Sequence, residues 1–308
     1  MTQRRLGRTD LSFEPWVFGC NVLGWTVEEA DAFAVLDAFL DEGFSAVDTA
    51  DSYGKGKSET ILGNWMKARR NRDRVLVFTK VGSDMGQGKR DLSARWITEE
   101  VENSLRRLQT DRIDLYQSHW PDPTVAQEET LGAYDKLVKA GKVRWIGASN
   151  HTAAMHAEAE KISTDHGWVR YESEQPEYNL YARASFEGPL QDFCVGHEIG
   201  VIPYFSLAAG FLTGKYRSEA DFGKSPRGQR MGRYLDARGL RILAAMDRVS
   251  AQTGATLAEI ALAWLNAQPG ITAPIASATS VEQLRSLAKG VRLTLSAEQL
   301  HALTDAGK

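Results

Sequence analysis

Eight times along this chain a short apolar run is followed by a segment whose apolar residues recur at helical spacing. So many alternations within 308 residues suit a closed parallel barrel better than an open doubly wound sheet. No Gly-x-Gly-x-x-Gly follows an early strand, so the usual dinucleotide fingerprint of the open sheet is missing. The expected fold is therefore α/β, a (β/α)8 barrel preceded by a β-hairpin over residues 3–13, as one domain spanning residues 1–308. Barrel strands are predicted at residues 16–19, 44–48, 74–79, 113–118, 143–147, 171–175, 201–205 and 271–276. Helices are predicted at 27–41, 58–70, 98–108, 127–140, 153–164, 186–198, 236–252, 256–266, 281–288 and 296–304, the first capped by Thr26. A long loop after strand 7, residues 208–234, is rich in glycine and carries Lys215, Arg217, Lys224, Arg227, Arg230 and Arg233. Its composition suits a flap over an anionic ligand.

In a parallel barrel all strand C-termini open on one face, where chemistry is built. Asp48, Lys80 and His119 each stand at such an end, and Tyr53 lies in the turn after the second strand. Together they suit proton transfer to a carbonyl. A tyrosine with its ordinary pKa of about 10 is a poor acid–base group near neutrality. A neighbouring ammonium favours the phenolate, so Lys80 is expected to lower the Tyr53 pKa while Asp48 keeps Lys80 charged. His119 can hydrogen-bond and orient the carbonyl oxygen. No side chain accepts hydride, so a reduction calls for a nicotinamide cofactor.

The strings Val47-Asp48-Thr49-Ala50-Asp51-Ser52-Tyr53-Gly54, Phe78-Thr79-Lys80-Val81 and Asp114-Leu115-Tyr116-Gln117-Ser118-His119-Trp120 resemble signatures of the aldo-keto reductases. The resemblance covers essentially the whole chain. It implies a catalytic tetrad of Asp48, Tyr53, Lys80 and His119, a hairpin plugging the barrel bottom, and reversible NAD(P)H-dependent reduction of aldehydes or ketones to alcohols.

Ser149 and Asn150, after the fifth strand, and Gln175, ending the sixth, can hydrogen-bond a nicotinamide carboxamide, a contact the family makes through these motifs. Tyr204 matches the family's aromatic that stacks on the nicotinamide ring. The segment with Phe205, Ser206, Leu207, Gly210 and Lys215 resembles its pyrophosphate segment. Phe205 replaces a more usual serine there, so its contacts are expected to be main-chain. The stretch from Ile275 to Leu284 resembles the adenosine segment, bringing in Ser277, Thr279 and Gln283. Thr279 stands where many members carry a basic residue for the NADP 2′-phosphate, and Leu287 where many carry asparagine. NADP(H) is still favoured over NAD(H), with neutral donors near a helix N-terminus and Lys215, Arg227 or Arg230 as sources of charge.

Trp25 and Trp120, just past strand ends, are expected to wall an apolar substrate pocket. Arg90 and Arg95 follow the third strand and could meet a polar substrate, but a solvated loop is the preferred reading for them. A net charge of −3 gives no reason to expect nucleic acid, and no apolar run reaches the ~18 residues of a membrane span. Two cysteines without metal spacing and a polar N-terminus suit a reduced, cytoplasmic protein. The expected partner is a small aldehyde, ketone or sugar, and the pattern assigns no oligomeric state. Two other functions fit the same resemblance: a sugar or alcohol dehydrogenase working oxidatively, and a cofactor-binding regulatory subunit like the potassium-channel β subunits. In the latter the catalytic histidine is typically replaced, whereas here it is His119.

Overall fold

The computed structural model describes residues 2–225 and 227–308. Met1, at the head of the polar N-terminus, and Pro226, inside the long loop, lie outside the described residues. A hairpin of β1 (Arg4–Arg5) and β2 (Ser12–Phe13) comes first, paired antiparallel. Eight parallel strands follow: β3 (Val17–Gly19), β4 (Ala46–Asp48), β5 (Leu76–Val81), β6 (Ile113–Ser118), β7 (Val143–Ser149), β8 (Tyr171–Gln175), β9 (Gly200–Val201) and β10 (Ile275–Ala276). Neighbours in sequence are neighbours in space, and β10 pairs with β3. The ring closes between β9 and β10, where Thr272 N donates to Val201 O at 2.8 Å and Ile275 N to Pro203 O at 2.9 Å. The barrel expectation holds.

Among the described residues ten helices surround the strands: α1 (Glu29–Asp41), α2 (Lys57–Arg69), α3 (Ala94–Leu108), α4 (Gln127–Lys139), α5 (Ala153–His166), α6 (Pro189–Gly196), α7 (Ala237–Thr253), α8 (Leu257–Asn266), α9 (Val281–Arg292) and α10 (Ala297–Ala306). Several ends differ from the sequence reading. Thr26 does not cap α1: its N–H is tied back to Val22 O, and Glu28 holds the cap position without a side-chain bond. Helix α3 begins earlier, because the Ser93 side chain accepts from Trp96 N. Helix α6 is shorter than 186–198, entered through Gly188 at φ 93° and Pro189. Strands β9 and β10 are only two residues each, since Pro203 and Pro274 have no N–H to extend a ladder.

Inside the barrel, side chains two residues apart share a face. The lower layer is apolar. Leu6, Leu11 and Phe13 of the hairpin region pack on Val17, Ala46, Phe78, Leu115, Ile202 and Ala273. The Phe13 and Phe78 rings meet edge-on at 5.6 Å. Two residues further along the strands, Ala46 gives way to Asp48, Phe78 to Lys80 and Leu115 to Gln117. The interior thus switches from hydrocarbon to charge in one step toward the C-terminal face.

The loop after strand 7 is not a free flap. Its described residues fold into three short 3-10 turns, Ala208–Thr213, Glu219–Lys224 and Gly228–Tyr234. Phe211, Leu212, Tyr216, Met231 and Tyr234 bury themselves against α7 and α8. The apolar residues interleaved with its cations anchor it.

Helices α2 and α3 touch at Gly63, where a Cβ would meet Arg107 O at 2.3 Å and the Leu108 carbonyl carbon at 2.7 Å. Alanine favours a helix by up to about 1 kcal/mol over glycine. Backbone cannot rotate aside as a side chain does, so overpacking at about 1–3 kcal/mol should win. Gly63→Ala is expected to lower the thermal midpoint. An unchanged or higher midpoint would mean that α2 and α3 separate freely.

Candidate active site

Strand register sets the site. Asp48, Lys80 and Gln117 lie on three adjacent strands, all inward and all at the upper end. The Lys80 ammonium is fully buried and donates to Asp48 Oδ2 at 2.6 Å, Thr49 O at 2.7 Å and Tyr53 Oη at 3.2 Å. Those three acceptors match its three donors. The second Asp48 oxygen accepts Gln175 Nε2 at 2.9 Å and Gln117 Nε2 at 3.3 Å. Tyr53 comes from the 3-10 turn Tyr53–Gly56, and its ring meets the His119 imidazole edge-on at 5.8 Å. His119 lies one residue past β6, held by its own N–H to Val81 O. Its Nδ1 lies 2.9 Å from Ser83 Oγ and 3.5 Å from Ser52 Oγ. Asp48, Tyr53, Lys80 and His119 therefore converge.

The electrostatics differ from the expectation in one respect. Burial pushes the Tyr53 phenol up, and the opposing pull of Lys80 does not cancel it, so the net shift is upward. Burial also works against the Lys80 charge, but Asp48 and Tyr53 outweigh it and hold the ammonium above its ordinary 10.5. Its contribution to stability is accordingly complete below that pH and lost only in stronger alkali. Burial, then the charges of Lys80 and Arg90, hold His119 far below 6.5, so it is neutral at pH 7. In the tautomer whose Nδ1 accepts from the Ser83 hydroxyl, the neutral ring presents Nε2–H as a donor. Asp51, from the same motif, is excluded from this group. It is buried, its carboxyl oxygens have no partner among the described residues, and burial with Glu59 and Glu100 pushes its pKa up.

The residues singled out for a cofactor form two groups. Ser149, Asn150, Gln175 and Tyr204 meet beside the ion pair. Ser149 Oγ donates to Gln175 O at 2.7 Å, Asn150 Nδ2 to His119 O at 3.1 Å, and Tyr204 Oη to Asn150 Oδ1 at 2.9 Å. Asn150 holds a left-handed backbone, φ 62°. Just beyond, Phe205 (φ 52°), Ala208 (φ 47°), Ala209 (φ 56°) and Gly210 (φ 105°) are also left-handed. Left-handed residues interspersed with right-handed ones turn successive amides toward one concave side, which suits phosphate oxygens. Strain of this kind in non-glycine residues gathers at ligand clamps, so the segment fits a dinucleotide. Ser206 is buried, its Oγ spent on Ile275 O at 2.7 Å. Leu207 is half-buried in the core, and Lys215 is exposed with its ammonium over the Tyr216 ring.

At the other edge, Ser277 Oγ donates to Asn21 Oδ1 at 2.7 Å. Thr279 donates to Gln283 Oε1 through both N–H and Oγ1, at 3.0 Å each. Both are exposed near the α9 N-terminus, while Leu287 is buried in the core. Arg227 does not reach them: its guanidinium lies over Trp25, 5.0 Å from the ring centroid. Trp25 is half exposed, and Trp120 stacks beside His119, its centroid 6.0 Å away. Sequence reasoning missed Gln117, Ser83, Ser52 and the Thr49 carbonyl. Only Gln117 carried a signal, since it shares inward parity with Asp48 and Lys80.

The sequence profile described as "Aldo/keto reductase family" matches residues 15–308. The chain belongs to the aldo/keto reductase family. Members of that family are carbonyl-reducing oxidoreductases using nicotinamide cofactors, generally NADPH. Among its relatives, aldo-keto reductase YhdN of Bacillus subtilis is 35% identical over 289 residues, covering 92% of this chain and 85% of that protein. Protein tas of Escherichia coli is 30% identical, covering 97% and 96%. Norsolorinic acid reductase B of Aspergillus parasiticus is 30% identical, covering 89% and 74%. No helix among the described residues is long and apolar enough to cross a membrane. Both cysteines are free and buried.

Behind Asn150 lies a buried titratable pair. Glu174 Oε2 is 2.9 Å from His156 Nε2, and Glu174 Oε1 accepts His151 N at 3.3 Å. Burial raises Glu174 to about 8 and lowers His156 to about 4. Between the ordinary values of 4.5 and 6.5, folded and unfolded pairs each hold one proton, on Glu174 and His156 respectively. Above 6.5 the unfolded pair is empty while folded Glu174 keeps its proton, so stability falls as pH rises toward 8. The loss should be on the order of 1–2 kcal/mol. Unfolding midpoints of wild type and Glu174→Gln across this window check it, with the slope expected to flatten in the variant.

Proposed function

We propose that this protein reduces aldehyde or ketone carbonyls to alcohols, with Tyr53 as proton donor. The observation that carries the reading is Lys80, whose ammonium bridges Asp48 Oδ2 and Tyr53 Oη beside a neutral His119. Lys80 donates to the phenol oxygen, so the Tyr53 hydroxyl hydrogen is free to point at a substrate. A phenol with a raised pKa is protonated at rest, as a donor must be. When its proton passes to the carbonyl oxygen, Lys80 faces the phenolate that forms and stabilises it. His119 Nε2–H orients the same oxygen. Reduced nicotinamide, when bound, supplies the hydride to the carbonyl carbon. Ser149, Asn150 and Gln175 would hold its carboxamide, Tyr204 its ring, and residues 205–210 with Lys215 its phosphates, with Trp25 and Trp120 walling the substrate.

For the cofactor we favour NADP(H), with NAD(H) also accepted. The adenosine-side residues Ser277, Thr279 and Gln283 offer hydroxyl and amide donors but no cation. The oxidative direction uses the same groups in reverse, so a sugar or alcohol dehydrogenase is the companion reading. A purely cofactor-binding regulatory subunit is disfavoured by His119. The family profile over residues 15–308 supports one domain, and the buried free cysteines support a reducing, cytoplasmic setting.

Rapid mixing of the protein–NADPH complex with 4-nitrobenzaldehyde tests the reading. Loss of the nicotinamide absorbance is expected. None with either reduced cofactor, across several aldehydes, would overturn it. Tyr53→Phe should lower turnover by about 10²–10⁴-fold with cofactor affinity nearly intact. A variant keeping half of normal turnover would remove Tyr53 from the mechanism. Thr279→Arg should tighten NADPH about tenfold more than NADH, because a guanidinium fork grips the 2′-phosphate. Equal changes in a binding titration would show that residue 279 does not meet the ribose.

A further inference from the structure

Arg90 is an exposed loop residue, as expected, and its guanidinium has a defined place. It stands between β5 and α3, its guanidinium carbon 4.6 Å from the centroid of the Trp120 ring. Trp120 is nearly parallel to the His119 imidazole, at 14°. Guanidinium, indole, imidazole and the Tyr53 phenol therefore form one continuous run of contacts. The Arg90 charge is felt at His119, where it adds to the lowering caused by burial and Lys80.

The neighbouring cations are spoken for. Lys89 pairs with Asp91 at 3.6 Å, and Arg95 with Glu99 at 3.2 Å. Arg90 makes no ion pair among the described residues. With Leu92, Pro121, Thr124 and Gln127 it lines a cavity of about 530 Å³ bordered by α4 and α5, with His151 and Tyr171 in its lining. The carboxylates bordering that cavity are already engaged. Asp122 accepts from Leu92 N at 3.1 Å and from Thr124 N at 2.9 Å, and Glu158 accepts from Gln127 Nε2 at 2.6 Å. Those donors are neutral, so both carboxylates keep their charge, and the Arg90 guanidinium faces them with no ion-pair partner among the described residues. A guanidinium lying on an indole is held in orientation and keeps its N–H edge for a planar anion.

We propose that Arg90 is a specificity residue that binds an anionic group, carboxylate or phosphate, on the carbonyl substrate, with Trp120 as its platform. This rests on the carbonyl-reductase reading. The preferred substrates are then aldehydes or ketones carrying a negative charge at some distance from the reacting carbonyl.

The test compares matched substrates with wild type, Arg90→Gln and Arg90→Lys. 4-Carboxybenzaldehyde against 4-nitrobenzaldehyde reads a carboxylate, and glyceraldehyde 3-phosphate against glyceraldehyde reads a phosphate. In Arg90→Gln, KM for the preferred charged member should rise about ten- to a hundredfold more than for its neutral counterpart, with kcat following much less. Arg90→Lys should retain part of the preference, and added salt should erode it. Equal effects on charged and neutral members, or no charge preference in wild type, would overturn the proposal. Binding of 4-(hydroxymethyl)benzoate to the protein–NADP complex, followed by tryptophan fluorescence, separates this from failure of the reductase reading. Salt-sensitive binding lost in Arg90→Gln supports the anion site even without turnover. Binding that Arg90→Gln leaves unchanged refutes it.

Discussion

Lys80 carries a full charge into the interior of a barrel whose lower half is closed by Phe13, Phe78 and Leu115. Taking an ammonium and a carboxylate out of water costs several kcal/mol per ion. That cost is tolerable only if every donor and acceptor is met, and here they are. Thr49 O, Asp48 Oδ2 and Tyr53 Oη saturate the ammonium, and two glutamine amides take the remaining carboxylate oxygen. The apolar plug beneath matters as much, because it leaves no water to compete. The rigidity that places Tyr53 thus follows from a buried charge that has no alternative partner.

The same pair divides the electrostatic work. Burial keeps Tyr53 protonated and His119 neutral, which in the proposed mechanism lets both begin as hydrogen donors toward a carbonyl oxygen. Lys80 does not create a resting phenolate. In the proposed mechanism its charge lies where negative charge develops, which is the more effective use of a preorganised cation.

Backbone strain is distributed to match. Of the eight non-glycine residues with positive φ among the described residues, five lie in loops around the site: Lys55, Asn150, Phe205, Ala208 and Ala209. Arg70 and Gln109 end helices, where the left-handed conformation is ordinary, and Glu198 follows α6. Each strained residue costs on the order of 1–3 kcal/mol and persists only because packing over-determines it. The buried aromatics of the loop after strand 7 supply that packing beside Ala208 and Ala209.

Much of this was written locally in the sequence. Alternating strands and helices determined the barrel, because a parallel strand needs a crossover and short crossovers close on one another. Period-two alternation determined that Asp48, Lys80 and Gln117 face inward on one level, and strand ends put His119 and Tyr53 beside them. Contacts between loops had no such pattern to declare them. Ser83 against His119, Arg90 over Trp120 and Arg227 over Trp25 each join separate excursions from the barrel. The sign of the Tyr53 shift was likewise decided only by the fold, since desolvation depends on everything packed around the ring. Spacing along the chain sets which face a side chain takes. Only the packed structure sets what that side chain meets and how much water it loses.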